Sequence, residues 1–150
     1  MKNLMLILPV FMLTACMGIA RLDTYQQAQI EAQLPPIDPE GGQLCMFRVS
    51  SFIGMAATFN MQANSEDIGR LSNSSYFCAN LLPGEYIITG EASYGRVRVA
   101  GVGTETTIRQ GQRKYIELKT DVTTSAGQLI HQTREIGLGA IYNIMKRSEQ

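Results

Sequence analysis

Apolar and polar residues alternate with a period of two over much of the chain after residue 42, which is typical of β-strands with one buried face. In the clearest run, Met55, Ala57, Phe59 and Met61 are separated by small or polar residues. The pattern therefore predicts a strand there. It predicts further short strands at Cys45–Val49, Ile68–Leu71, Tyr76–Leu82, Tyr86–Thr89, Val97–Val99, Thr104–Ile108, Tyr115–Leu118 and Gln128–His131.

Turn-forming residues separate these strands. Pro83–Gly84 suits a type II turn, in which glycine supplies the positive φ of the third position. Gly101–Gly103 is predicted to connect two strands of a hairpin, since no helix follows it as a nucleotide-binding turn would require. Many short strands with Gly, Pro, Asn and Ser between them favour an all-β domain. We predict a small prealbumin-like or immunoglobulin-like β-sandwich of about seven to nine strands over residues 43–150.

Two segments have helical features. Residues 21–33 can form one short helix, which the prolines that follow would end. Near the C-terminus, Leu138, Ile141, Tyr142 and Met145 recur at helical spacing before two cations. This segment could dock on a membrane surface or a partner, pack on the sandwich as a helix, or form a final strand, and the spacing does not decide between these three arrangements.

The N-terminal sequence has the layout of an export signal. Lys2 precedes an apolar run from Leu4 to Met12, and Leu13–Cys16 follows with small residues before the cysteine. A permanent transmembrane helix needs about 20 apolar residues, so this run, which Pro9 interrupts, is too short. We predict that residues 1–15 are a signal peptide. An ordinary secretory signal with an incidental cysteine is the alternative.

Leu13-Thr14-Ala15-Cys16 resembles the lipobox of bacterial lipoproteins. That resemblance implies a diacylglyceryl group on Cys16 and an acylated amine, which together make a stable membrane anchor. Met17 stands where an Asp would favour the inner membrane, so the resemblance implies an outer-membrane protein that faces the periplasm. The periplasmic face of the inner membrane is the alternative.

Residues 16–42 are rich in Gln and Pro. We predict a flexible tether after the lipidated cysteine, with an average span of ~30 Å. The alternative is that Tyr25 and Ile30 dock on the domain.

The chain contains three cysteines. If Cys16 is lipidated, Cys45 and Cys78 remain as an even pair, which an oxidising periplasm would join if their strands are neighbours. Two buried, unpaired thiols are the alternative. We expect no metal site, because His131 is the only histidine and two cysteines do not complete a tetrahedral ligand set.

Basic and acidic residues are balanced at 13 each, so net charge identifies no partner. Cations nevertheless cluster after residue 95. Arg96 and Arg98 lie two apart in a predicted strand, so their side chains would leave the same face. With later cations they form a candidate surface for binding anions or a partner, consisting of Arg96, Arg98, Arg109, Arg113 and Lys114. A solvated face that protects a sheet edge is the alternative.

The sequence contains no recognisable catalytic constellation. Nucleophile elbows, phosphate loops and metal-binding His/Glu spacings are absent from it. His131 follows two apolar residues in a predicted strand, which favours a hydrogen-bonded, partly buried histidine over a general base. We therefore expect neither an enzyme nor a cofactor.

Three segments together resemble a domain of unknown function that is common in bacterial lipoproteins: Ser50–Gly54, Ile68–Phe77 and Leu82–Tyr86. In that family a Gly-x-Leu-x-Asn-x-Ser-Tyr segment leads to a Pro-Pro-Gly-x-Tyr turn. In this chain Leu82 stands in place of the first proline of that turn. Gly111–Tyr115 is similar to the family's Gly-x-x-Tyr-Tyr segment. The strand and turn also resemble carboxypeptidase-regulatory and prealbumin-like modules. These resemblances imply a small sandwich and supply no catalytic residues.

The features together predict a membrane-anchored periplasmic lipoprotein that is a non-catalytic binding or assembly accessory in the bacterial cell envelope. Its expected partners are the membrane, through lipid on Cys16, and an envelope protein or an anionic envelope component. Export makes nucleic acid an implausible partner. The alternative is an inhibitor or sensor lipoprotein that binds a soluble periplasmic protein, such as a cell-wall hydrolase.

Overall fold

A computed structural model of the protein describes residues 18–94, 97–120 and 127–150, with residues 94 and 97–100 described by their backbone. Its elements, in chain order, are α1 (Thr24–Gln33), β1 (Gly42–Arg48), β2 (Thr58–Ala63), β3 (Glu66–Leu71), β4 (Ser75–Leu81), β5 (Gly84–Tyr94), β6 (Val97–Ile108), β7 (Arg113–Thr120), β8 (Gly127–Gln132) and α2 (Arg134–Ser148).

The eight strands of this part of the chain form two four-stranded sheets, which confirms the predicted β-sandwich. The helix-side sheet has the order β4-β1-β7-β8, and the outer sheet has the order β3-β2-β5-β6. Strands β1 and β7 run parallel, whereas the other neighbouring strands run antiparallel. We name the two ends of the sandwich after β1, which starts at the Gly42 end and finishes at the Arg48 end.

The helix-side sheet is buried on both faces. One face packs against the outer sheet through residues such as Leu44, Met46 and Ile116. The other face packs against the two helices, through Phe47 of β1 and Leu138 of α2, among others. Because successive residues of a strand point to opposite faces, all seven residues of β1 are buried.

Helix α2 packs on this sheet, which is one of the three arrangements that the C-terminal spacing allows. Thr133 caps its first turn, since the Thr133 hydroxyl accepts a hydrogen bond from the Ile136 N–H at 3.3 Å. Leu138 and Ile141 are buried against the sheet. Neither of the helices in the described ranges is long and apolar enough to cross a bilayer.

The segment before β1 differs from the flexible tether that its composition suggests. Residues 18–42 lie against the domain, and α1 buries Ile30 while Tyr25 points to solvent. Leu22 and Leu34 flank the helix and are buried in the same layer as Ile30. Burial of these three apolar side chains offsets the entropy that a free tether would keep.

Three local predictions are wrong in detail. Gly84 has no positive φ and already belongs to β5, where it pairs with Ile108, so no type II turn forms there. Gly101–Gly103 lies inside the continuous strand β6, which absorbs an irregular register opposite Gly90. Met55 precedes β2 in an exposed loop.

The predicted disulfide is confirmed. Cys45 of β1 lies directly opposite Cys78 of β4, with the two Cα atoms 4.0 Å apart and the sulfur atoms bonded. Both cysteines belong to the layer between the helix-side sheet and the helices. The bond joins residues 33 positions apart and therefore ties the edge strand to the centre of the sheet.

Replacement of both cysteines, Cys45→Ala with Cys78→Ala, is expected to lower the free energy of unfolding by about 3 to 4 kcal/mol, because a loop of this length loses its covalent closure. Urea denaturation measures the change. The unsubstituted protein under reducing conditions is the control and should lose a similar amount. Equal stability of the oxidised protein and the double variant would contradict a stabilising bond.

Candidate membrane-facing end

The N-terminal segment is fixed on α2 from the first described residue. The Asn143 side-chain amide donates a hydrogen bond to the Gly18 carbonyl at 3.3 Å. Two residues later, the Ala20 carbonyl oxygen lies so close to Gly139 that a Cβ atom there would collide with it. The glycine therefore allows the segment to cross the helix at backbone contact distance.

Gly18 lies at the Arg48 end of the sandwich. It lines a surface cavity of about 330 Å³ together with residues of three other segments: Val49 and Ser50 after β1, Ser74 before β4, and Lys146 and Arg147 near the end of α2. The point at which the described chain starts is thus surrounded by the loops of one end.

The loop between β1 and β2, residues 49–57, carries exposed apolar side chains at this same end. Phe52 is 89% exposed and Met55 is 55% exposed, and Ile53 is also exposed. Large apolar side chains that cluster in one exposed loop indicate an interaction surface, whereas single exposed apolar residues need no explanation.

Hydrogen bonds hold this loop in one conformation. Arg48, which is only 1% exposed, donates from Nη1 to the Ala57 carbonyl and from Nη2 to the Gly54 carbonyl, both at 2.7 Å. Its guanidinium also lies 5.4 Å from the ring centroid of Phe59. The Ser51 N–H donates to the Asn73 side chain at 2.9 Å, which joins the loop to the β3–β4 turn.

The predicted basic surface does not form as one patch. Arg96 lies outside the described residues, and Arg98 pairs with Ser93 near the Arg48 end. Arg109 follows the other end of β6, roughly 35 Å away at strand spacing. Arg113 and Lys114 are neighbours in β7, so their side chains leave opposite faces of the sheet.

Arg113 belongs to a hydrogen-bonded network at the Gly42 end. Its guanidinium donates to the Gln43 side chain and, at 2.8 Å, to the Pro35 carbonyl. It also lies 3.9 Å from the Glu31 carboxylate of α1. Arg113 therefore secures the segment between α1 and β1 and presents little free surface.

Glu31 joins α1 to α2 through Arg134. The Arg134 guanidinium donates two hydrogen bonds to the carboxylate, at 2.9 and 2.6 Å, and the pKa of Glu31 is lowered mainly by these bonds. Beneath them, burial raises the pKa of Tyr115 to about 12, and the charge of Glu31 adds to the effect. The Tyr115 hydroxyl is buried under this ion pair, close to Glu31 and Arg113.

Lys114 and His131 line a polar groove of about 570 Å³ at the Gly42 end, with Glu85, Tyr86 and Glu105 among its other residues. His131 is exposed, and its Nε2 lies 3.0 Å from the Glu105 carbonyl and 3.3 Å from the Thr104 hydroxyl. The histidine is hydrogen-bonded as expected, although it is not buried. Within the described ranges, no three His, Cys, Asp or Glu side chains are grouped to hold a metal ion.

No known protein-family model matches this chain, and a search of curated proteins finds no significant match. The resemblance to the lipoprotein domain of unknown function therefore stays a prediction. Cys16 and the rest of the lipobox-like segment lie outside the described residues.

The sequence analysis missed the apolar loop, and it gave the docking of the N-terminal segment only as an alternative, which is right for Ile30 and wrong for Tyr25. The second carries a signal that could have been found, since Leu22, Ile30 and Leu34 are spaced by eight and four residues, as on one helical face. The loop gives no comparable signal. Its Met55 continues the alternation of β2 in the sequence, although the strand begins only at Thr58.

Gly139→Ala is expected to destabilise the protein by about 1 to 3 kcal/mol, because the added Cβ must displace the Ala20 carbonyl. Helix propensity alone predicts the opposite sign, a gain of up to about 1 kcal/mol. Urea denaturation distinguishes the two. Gly84→Ala is the control, since a Cβ there would meet its nearest neighbour, Tyr86, at 3.8 Å. A more stable Gly139→Ala protein would contradict the close crossing.

Stability is expected to fall with acidification partly through Glu31. Its pKa is lower in the folded protein than the ordinary value of 4.5, so its contribution is present above that pH and is lost as the pH falls through the lowered value. Glu31→Gln should make the loss of stability on acidification smaller, and melting temperatures measured across this pH range detect the difference. The expected difference in the free energy of unfolding is less than about 1 kcal/mol, because the Glu31 side chain is 28% exposed. Glu149→Gln, which removes an exposed ion pair with Lys146, is the matched control and should leave the decline unchanged. Identical pH profiles for Glu31→Gln and the unsubstituted protein would refute this role.

Proposed function

We propose that the protein is a lipoprotein of the bacterial cell envelope, anchored through acyl chains on Cys16, and that its sandwich is a non-catalytic binding or assembly accessory held at the membrane surface. The outer membrane, on its periplasmic face, is the proposed location. The observation that carries the proposal is the lipobox-like Leu13–Cys16 immediately before the point at which the chain docks on α2.

The position of Gly18 supports a short arm between anchor and domain. Cys16 precedes Gly18 by two residues, and two residues span at most about 7 Å when fully extended. A flexible tether of residues 16–42 would let the domain move tens of ångströms from the bilayer. With residues 18–42 packed on the domain, an anchor on Cys16 would hold the Arg48 end against the lipid headgroups.

A short arm suits an accessory whose partner is itself at the membrane. The opposite, Gly42 end would then face away from the bilayer, and with it the polar groove that contains Lys114 and His131. A mixed lining of carboxylates, hydroxyls and an aromatic ring supports contact with another protein more than it supports a nonspecific anion site.

Anchoring is tested by Cys16→Ser in cells that process lipoproteins. The unsubstituted protein is expected in the membrane fraction, released by detergent and not by high salt, and its N-terminal peptide should carry the mass of the acylated cysteine. Cys16→Ser should move to the soluble fraction, because it loses the acyl chains.

Cys78→Ser is the control for loss of a different cysteine, and it should stay in the membrane fraction. A Cys16→Ser protein that remains in membranes as fully as the unsubstituted one, with no lipid mass on the latter, would refute the proposed anchor.

A further inference from the structure

We propose that the loop between β1 and β2 is a second membrane contact, in which Phe52, Ile53 and Met55 insert into the headgroup region of the phospholipid leaflet that holds the lipid on Cys16. This inference rests on the proposed lipid anchor and specifies what the Arg48 end touches. The occupant of the loop's apolar surface is thus a phospholipid bilayer.

The covalent distance makes contact with the bilayer unavoidable at this end. The polar layer on each side of a bilayer is only about 5 to 8 Å thick, and the two Cα–Cα steps from Cys16 to Gly18, with one residue between them, reach no further than about 7 Å. Gly18 therefore stays at headgroup level whenever the acyl chains are inserted. Any loop that projects beside Gly18 meets the lipid.

The apolar loop is one of the neighbours of Gly18. Val49 and Ser50, the first residues of the loop, line the same cavity as Gly18 and Ile19. Ile19 is itself an exposed apolar residue of the N-terminal segment. The exposed side chains of Ile19, Phe52, Ile53 and Met55 therefore belong to the end from which the anchor emerges.

The charges at the Arg48 end also favour contact with a bilayer. The described loops of the Arg48 end, residues 49–57 and 72–74, contain no acidic residue, and α2 brings Lys146 and Arg147 beside them against one carboxylate, Glu149. The Gly42 end carries charges of both signs in its loops and strand ends: Asp38, Glu40, Glu66 and Glu85, and also Arg109, Arg113 and Lys114. A surface of anionic phospholipid therefore attracts the Arg48 end more than the Gly42 end, where the two signs are mixed.

The loop is also ordered before it meets lipid. The two hydrogen bonds from buried Arg48 fix the carbonyls of Gly54 and Ala57, and the Thr120 hydroxyl donates to the Ile53 carbonyl at 3.1 Å. Gly54 has a φ of 67°, which only a residue free of a Cβ adopts readily. An ordered loop presents Phe52 to the bilayer without a further loss of backbone entropy.

The chain contains no tryptophan, so a single introduced tryptophan reports its own surroundings. Phe52→Trp places the probe in the loop. Leu82→Trp places it on an apolar residue of similar exposure, 69%, in the turn at the Gly42 end. Each variant, lipidated on Cys16, is reconstituted into vesicles of phosphatidylethanolamine and phosphatidylglycerol, with and without brominated acyl chains.

Phe52→Trp is expected to emit at shorter wavelength on reconstitution and to be quenched by the brominated lipid, whereas Leu82→Trp should show neither change. Flotation of the vesicles and the lipid mass on Cys16 report the anchor separately. If both variants float and neither or both are quenched, the loop contact is refuted while the anchor stands. If Cys16 carries no lipid, the anchor and the loop contact are refuted together.

A second measurement isolates the loop from the acyl chains. The mature chain with Cys16→Ser should partition weakly into the same vesicles, and the further change Phe52→Ser should lower this partition roughly tenfold or more, because a large apolar side chain leaves the interface. Leu82→Ser should leave partition unchanged. Equal effects of the two serine substitutions would overturn the proposal. So would the absence of a Phe52→Trp shift in vesicles that contain only this protein, since a protein partner would then be left as the occupant of the loop.

Discussion

Burial of β1 on both faces is the constraint on which the rest of the structure depends. A two-sheet sandwich covers only one face of each sheet, so Cys45 and Phe47 would be in water without a further layer. Each large apolar side chain left exposed in this way forgoes about 1.5 to 3 kcal/mol. The two helices and the segment before α1 supply the missing layer. They are therefore part of the folded domain, and the network of Arg113, Glu31 and Arg134 fastens that layer at one end.

The sandwich could be predicted because each of its strands carries a local signal, and the third layer could not because it depends on contacts between distant segments. Period-two alternation located the strands, but it gives no sign that the charged Arg48 lies buried at the edge of the inter-sheet core. The Gln-rich composition and three prolines of residues 16–42 predict a flexible tether, whereas Leu22, Ile30 and Leu34 form an apolar face that packs on the domain. The spacing of apolar residues in the C-terminal segment is compatible with a helix or a strand. The segment forms a helix that covers the apolar face of β1 and β7, and this packing cannot be read from the segment alone.

At the candidate site, the disulfide could be predicted from the sequence, whereas the arrangement of the basic residues could not. The pairing of Cys45 with Cys78 could be predicted by counting, because these two cysteines remain if Cys16 is assigned to a lipobox. The basic surface failed for geometric reasons, since the length of β6 separates Arg98 from Arg109 and alternation turns Arg113 away from Lys114. The docking of residues 18–42 on the domain could not be predicted, because it depends on contacts between segments far apart in the sequence. Gly139, which makes that docking possible, has nothing in the sequence around it to mark its role.

The crossing of Ala20 over Gly139 links the first described segment of the chain to the last helix. During synthesis, the N-terminal segment emerges long before α2 and can dock on that helix only when residues 134–148 arrive. If Cys16 is already in the bilayer at that time, one end of the chain is immobilised while the other is still being delivered. In that case the contact of Ala20 with Gly139 closes a ring whose two ends meet at the membrane, and the third layer is complete only when both ends are in place.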